Sequence, residues 1–97
     1  MPYFIKTETI KRHYLGEIDF KIKTINEHKK WVKNLIDQGF YIKSGFLVDK
    51  HQVPGAGGFL IIECDSFEEA EKIIQDDPMI KNNIVNWKLN EWINIIK

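Results

Sequence analysis

The sequence is poor in cysteine and has no surplus of charge, and each shortage excludes a class of protein. One cysteine among 97 residues cannot form an internal disulfide, so the chain is not a disulfide-stabilised secreted domain and a reducing compartment is expected. Fourteen basic residues balance fourteen acidic ones. This balance disfavours nucleic acid or an anionic membrane as a partner, because both attract a basic surface.

Long apolar runs and clusters of metal ligands are also missing. No segment approaches the roughly 20 apolar residues of a membrane span, and the beginning of the chain lacks the apolar core of a signal peptide. We therefore expect a cytoplasmic protein without membrane contact. One cysteine and three scattered histidines do not make a metal site. Gly55, Gly57 and Gly58 match no dinucleotide or P-loop pattern, so the sequence predicts no cofactor.

The most informative stretch lies between residues 54 and 79. Its glycines precede a short apolar segment, Phe59 to Cys64, whose length and flanking turn residues indicate a strand. Ser66 and Glu69 then have the S-x-x-E spacing of a capping box, which predicts a helix starting there. Pro78 cannot continue that helix and disfavours helical geometry at Asp77.

The rest of the chain supplies three more strands and one more helix. The T-x-x-E spacing from Thr24 predicts a helix that runs to about Gln38 and ends at Gly39. Residues rich in β formers predict strands at Tyr3–Ile10, Phe40–Val48 and Ile84–Ile96, the last bent near Asn90. Residues 11–23 are predicted to be irregular and residues 49–57 a mobile connection. Ser44-Gly45 indicates a bulge or a close approach to the backbone.

This order, β-α-β-β-α-β, predicts an α+β, ferredoxin-like single domain over residues 1–97, with helices on one face of a four-stranded antiparallel sheet. The strand at 59–64 is apolar on both faces, so either Phe59 and Ile61 or Leu60 and Ile62 remain uncovered by the helices. Burying two such side chains stabilises by about 3–6 kcal/mol. The sequence therefore predicts a homodimer that covers the second face.

Two titratable residues are candidates for chemistry. His28 lies on the apolar stripe of the first predicted helix, where it is either a residue at the edge of the core or, neutral in a first turn, a base. Asp77 is either part of the turn before Pro78 or a carboxylate that is misplaced at a helix C-terminus and needs a partner. His28 is a suitable partner. Cys64 is predicted to be a small buried hydrophobe.

The chain resembles the YCII-related (YciI-like) family over nearly its whole length. The segments that carry the resemblance are Tyr3-Phe4-Ile5, His28 with Trp31 and Leu35, Gly39 followed by Ser44-Gly45, the stretch GAGGFLIIECDSFEEAEKIIQDDPM ending in Asp77-Pro78, and Trp92. The resemblance implies a dimeric α/β barrel, related in fold to muconolactone isomerase, with a His–Asp pair in a cleft at His28 and Asp77. Some relatives are lyase-like enzymes, including a dehydrochlorinase of a chlorinated hydroxyquinol.

Three functional hypotheses remain open. In the first, the protein is a lyase or isomerase in which His28 removes a proton and Asp77 orients it, with Ser44, Gly45 and Gly58 contacting a small carbonyl or phenolic substrate. In the second, it is a non-catalytic module that binds a small ligand or dimerises. In the third, it binds RNA, since its strand and helix order also resembles an RNA-recognition motif, although Ile61 stands where that motif has an aromatic.

Overall fold

Four segments with alternating side chains form one antiparallel sheet in the computed structural model, which describes residues 1–96. The strands are β1 (Tyr3–Ile10), β2 (Ile42–Val48), β3 (Pro54–Glu63) and β4 (Val85–Trp92), in the order β2-β3-β1-β4. The helices are α1 (Ile18–Asp37), α2 (Phe67–Ile74) and the single turn α3 (Pro78–Lys81), and a 3₁₀ turn spans Arg12–Tyr14. The predicted ferredoxin-like fold is confirmed.

The register divides the side chains of the sheet into two sets. Lys6 pairs with Leu60 and Leu89, and these residues point to the face that the helices cover, which we call the helix face. Ile5 pairs with Ile61 and points to the opposite, open face. The fully buried apolar side chains of the main core are Phe4, Leu60, Ile62, Cys64, Ala70 and Ile74. Leu60 and Ile62 therefore enter the core, and Phe59 and Ile61 stay on the open face.

Helix α1 begins earlier than the sequence predicts. It starts at Ile18, with Glu17 as an N-cap whose side chain makes no capping hydrogen bond. Thr24 lies inside the helix and is fully buried, so the predicted capping box is wrong and residues 18–23 are helical rather than irregular. Of the three alternating apolar residues Ile18, Phe20 and Ile22, only Phe20 packs on the core, whereas Ile18 and Ile22 are exposed. Phe20 and Thr24 extend the buried stripe by helical i, i+4 spacing.

The β2–β3 hairpin also departs from the prediction. Strand β3 starts at Pro54, so part of the predicted mobile connection is sheet. The register shift lies between Phe46 and Val48 and not at Ser44-Gly45. Gly57 has φ +94°, and a Cβ at this position would lie 2.1 Å from the carbonyl oxygen of Glu8. The close approach of two backbones therefore requires glycine there.

The ends of the other elements follow from local chemistry. Ser66 caps α2 as predicted, since its Oγ accepts a hydrogen bond from the Glu69 N–H at 3.1 Å. Gly39 follows α1 with φ +98°, as expected of a residue after a helix. Strand β2 starts at Ile42 rather than Phe40, and β4 ends at Trp92 rather than Ile96. No helix between residues 1 and 96 is both long and apolar enough to cross a membrane.

Candidate active site

His28 lies near the middle of α1 and reaches across to the turn that precedes α3. Its Nδ1 is 2.8 Å from Oδ1 of Asp77. The early start of α1 puts His28 about three turns into the helix, so the prediction that His28 lies in a first turn is wrong. The hydrogen bond to Asp77 determines its tautomer instead. Because a carboxylate only accepts, Nδ1 carries the proton and Nε2 has a free lone pair in the neutral ring.

Asp77 begins a helix rather than ending one. Helix α2 stops at Ile74, and Asp77 is the N-cap of α3, where its Oδ1 also accepts the N–H of Met79 at 2.9 Å. A carboxylate is electrostatically favourable at this end of a helix, so the prediction of a misplaced charge is wrong. The side chain is fully buried. Its position is therefore determined by the start of α3 and by the proline that follows it.

Two charged residues of β1, which were not among the candidates predicted from the sequence, complete the site. The ammonium group of Lys6 contacts both Oδ2 of Asp77 and Oε1 of Glu8. Lys6 is only 1% exposed, and the side chain of Glu8 is 10% exposed. The available signal was their parity: both point to the same face as Phe4, which is apolar. A lysine on such a face needs buried partners.

The side chains of Ser44, His28, Asp77, Lys6 and Glu8 form a continuous series of contacts beneath the helices, which we call the polar row. Burial acts to raise the pKa of Asp77, but the hydrogen bond from His28 and the charge of Lys6 together lower that pKa below its ordinary value. Asp77 is therefore a carboxylate at neutral pH, and the row contains two buried acids and one buried ammonium group.

Ser44 is the exposed end of the polar row. Its Oγ lies 2.7 Å from Nε2 of His28. In the neutral ring with the proton on Nδ1, the Ser44 hydroxyl donates a hydrogen bond to the lone pair of Nε2. Three residues before Ser44, the carbonyl of Tyr41 accepts a hydrogen bond from the N–H of Glu63. Hydrogen-bonded and non-hydrogen-bonded residue pairs alternate along an antiparallel ladder, so Ser44 belongs to a non-hydrogen-bonded pair with Leu60. Its N–H therefore points away from β3, towards the unpaired edge of β2.

The two glycines proposed as substrate contacts lie in different places. Gly45 pairs with Phe59, so its α-carbon faces the open side of the sheet and not His28. Gly58 pairs with Glu8 and lies on the helix face, where an added Cβ would be 3.0 Å from Cγ of Glu8. The structure thus brings Ser44, His28 and Asp77 together, sets Gly58 beside the buried end of the polar row, and leaves Gly45 next to Ser44 only along the backbone.

Two aromatic side chains lie beside the site, and the remaining histidines and Cys64 lie apart from it. The ring of Trp31 is 5.6 Å from that of His28, and Phe46 is 70% exposed on the same face as Ser44. His13 and His51 are exposed. Cys64 is buried, as predicted, and burial raises the pKa of its thiol to about 11. Among residues 1–96, no three His, Cys, Asp or Glu side chains converge in a way that could hold a metal ion.

Comparisons with known proteins place the fold. No protein of curated function matches the chain. A structure of similar fold is 5-chloro-2-hydroxyhydroquinone dehydrochlorinase (TftG) from Burkholderia phenoliruptrix in complex with 2,5-dihydroxybenzoquinone. It is 19% identical, with a TM-score of 0.70 over 94% of this chain and 93% of that one, and at this identity the likeness concerns the fold alone. The model of the YCII-related domain matches residues 1–93, and the protein therefore belongs to the YCII-related family.

Proposed function

We propose that this protein is a small-molecule enzyme of the lyase or isomerase type, in which His28 removes a proton from a carbonyl or phenolic substrate. The observation that carries the proposal is the 2.8 Å contact between His28 Nδ1 and the buried carboxylate of Asp77. This contact leaves the lone pair of Nε2 directed at Ser44, on the exposed side of the site. An imidazole held in this tautomer is a suitable general base near neutral pH.

The residues of the polar row have distinct roles in this reaction. Nε2 of His28 takes the proton, and the imidazolium that forms is stabilised by the carboxylate of Asp77. The electron pair left on the substrate moves towards its oxygen, where the hydroxyl and N–H of Ser44 donate hydrogen bonds. A lyase then expels a leaving group from the adjacent carbon, whereas an isomerase returns the proton to another carbon. Lys6 holds the carboxylate of Asp77 in place through its ammonium group, and Glu8 contacts the same ammonium group.

Small hydroxylated rings are the proposed substrate class. TftG, which shares the fold, is described as a dehydrochlorinase in complex with a dihydroxybenzoquinone. In this chain, Trp31 beside His28 and the exposed Phe46 beside Ser44 offer flat apolar surfaces to a ring. We retain Gly45 and Gly58 as proposed backbone contacts, with Ser44 as the side chain that holds the substrate oxygen.

We further propose that the enzyme is a homodimer that joins two copies through the open face. Tyr3 packs against Tyr41 at 5.9 Å and against Trp92 at 6.1 Å between ring centroids, which forms an aromatic row across this face. Ile5 and Ile61 lie next to it and are only partly buried. Such an apolar surface favours a second copy by two-fold symmetry. We expect this dimer to act in the cytoplasm.

Proton removal can be tested without knowing the physiological reaction. The protein is incubated in deuterated water with a panel of small hydroxyquinols, quinones and cyclic ketones, and exchange of carbon-bound protons is followed by NMR. For a compound that exchanges, His28→Ala should lower the rate by about 10²–10⁴-fold, because that is the usual contribution of a general base. His51→Ala is the matched control, since His51 is exposed and remote from the polar row. Equal rates in both variants would refute the proposal.

A non-catalytic ligand-binding module is the second candidate, and one observation favours it. Two surface cavities, of about 150 and 310 Å³, are lined by residues other than His28, Ser44 and Asp77. Calorimetric titration of the same panel distinguishes the two: binding that survives His28→Ala without any exchange or turnover would favour the module.

A further inference from the structure

The exposed end of the polar row has the connectivity of a nucleophilic serine site. Ser44 Oγ is 2.7 Å from Nε2 of His28, and Nδ1 of His28 is 2.8 Å from Oδ1 of Asp77. Asp77 is buried and is held by the N–H of Met79 and the ammonium group of Lys6. A serine, a histidine and a buried acid in this order act together on unrelated folds, where the arrangement is recognised by geometry and not by sequence position.

The position of Ser44 suits attack on a bound group. Both Ser44 and the hydrogen bond from its Oγ to His28 are exposed, so a small ester can approach from solvent. Ser44 lies on the edge strand β2, and its N–H points to the unpaired edge, next to its own side chain. This N–H is one donor for the oxyanion that forms when a carbonyl is attacked.

We propose that Ser44 is a nucleophile and that the protein hydrolyses small, uncharged aryl esters through a Ser44 acyl-enzyme. This activity is separate from the proton removal proposed above, in which Ser44 only donates hydrogen bonds. The excess of buried acids over bases in the polar row disfavours anionic esters. The exposed ring of Phe46, two residues after Ser44 on the same face, favours an aryl leaving group.

The chemistry balances with water as the only co-reactant. Nε2 of His28 takes the hydroxyl proton as Ser44 Oγ bonds to the ester carbonyl carbon. The tetrahedral oxyanion then collapses, the bond from carbon to the leaving oxygen breaks, and the phenol departs with the proton held on Nε2. Water next attacks the Ser44 ester and passes a proton to Nε2. The bond between Oγ and the acyl carbon breaks, Oγ recovers that proton, and the carboxylic acid is released.

A fluorophosphonate probe tests the nucleophile directly, because it labels activated serines. The chain contains two serines, Ser44 and Ser66. Ser66 caps α2, so it is an internal control for labelling of Ser44. We expect peptide mass spectrometry to locate the label on Ser44 and not on Ser66. Labelling and 4-nitrophenyl acetate hydrolysis should fall by about 10²-fold or more in His28→Ala and Asp77→Asn. Ser44→Ala should abolish both, with circular dichroism confirming that each variant is folded.

Three results would overturn the proposal: no label on Ser44 in the folded protein, equal labelling of Ser44 in His28→Ala, or ester hydrolysis that persists at the wild-type rate in Ser44→Ala. The proton-exchange assay separates this failure from failure of the proposed function. An enzyme that exchanges carbon-bound protons through His28 but leaves Ser44 unlabelled is a general-base enzyme without the esterase activity. A protein that is labelled at Ser44 but exchanges no carbon-bound protons would support the esterase activity and refute the proposed proton removal.

Discussion

On the helix face of the sheet, Lys6 and Asp77 are buried beneath α1 and α3, whereas on the open face Phe59 and Ile61 are only partly covered. This distribution is the reverse of what solvation alone favours, because charge lies where desolvation is most costly and apolar surface lies nearest to water. The proposed site, which needs an oriented acid and base, would account for the buried charges. The proposed dimer would account for the apolar open face. Each face can be perturbed separately.

The largest expected effect comes from removing the charge at the centre of the polar row. Lys6→Met leaves the carboxylates of Asp77 and Glu8 buried without their shared cation. We expect the free energy of unfolding to fall by about 3–5 kcal/mol, as is usual when one partner of a buried ion pair is lost. Urea denaturation measures this loss. Lys72→Met, on the exposed side of α2, is the matched control and should change stability by less than about 0.5 kcal/mol.

A pair of neighbouring truncations in β3 compares the two faces directly. Leu60→Ala creates a cavity under the helices and should cost about 2–5 kcal/mol at every protein concentration. Ile61→Ala, one residue later on the open face, should instead weaken association and make the melting temperature depend on protein concentration. Analytical ultracentrifugation with thermal melts at two concentrations measures both effects. Concentration-independent losses of equal size would remove the proposed dimer surface.

The next effect depends on pH. The pKa of Asp77 is lowered in the folded protein, so its carboxylate contributes stability that is complete above the ordinary carboxyl pKa of about 3.9 and is lost as the pH falls through the lower folded value. The difference in unfolding free energy between wild type and Asp77→Asn should therefore shrink below about pH 4. Asparagine still caps α3, which preserves the fold. Asp76→Asn, at the exposed neighbouring position, is the matched control variant.

The smallest effect concerns the far end of the helix face, where Cys64 follows β3. Because the pKa of its thiol is raised to about 11, the reactive thiolate is about 10²-fold scarcer at neutral pH than for an ordinary cysteine, and burial adds a steric barrier. A disulfide reagent should therefore modify Cys64 only at the rate at which the protein opens. Rapid labelling of the native protein would show that this part of the helix face admits solvent.

Local signals in the sequence account for much of the fold. The residues rich in β formers in β1, the short apolar segment of β3 and the Ser66 cap predict these elements, since each is a short-range signal that the structure retains. Helix α2 nevertheless ends at Ile74, before Pro78, which starts α3 instead of ending α2. The predicted start of α1 was wrong because the sequence from Thr24 has a capping pattern that the helix does not use. Glu17 starts the helix without a side-chain cap, and packing of Phe20 on the core, which the sequence does not display, selects that start.

The candidate site could also be predicted only in part from the sequence. His28 and Asp77 could be nominated because each departs from its local environment: a histidine on an apolar stripe and an acid before a proline. Lys6 and Glu8 share the parity of the apolar Phe4, but Tyr3 and Ile5 make the opposite parity apolar as well, so parity alone does not identify the covered face. Only the long-range pairing of β1 with β3 and β4 establishes that their face is the covered one. The pairing edge of β2 likewise determines that the Ser44 N–H is free.

The acid of the candidate site is also the first residue of a helix that is one turn long. Oδ1 of Asp77 accepts hydrogen bonds from both the N–H of Met79 and Nδ1–H of His28. Unwinding of α3 would break the hydrogen bond to Met79 and would release the carboxylate that orients His28. Helices this short open more readily than the strands they pack on. For the proposed enzyme, we therefore expect loss of activity on heating to precede melting of the sheet. The amide of Met79 should lose its protection from hydrogen exchange at the same temperature as the proposed activity is lost.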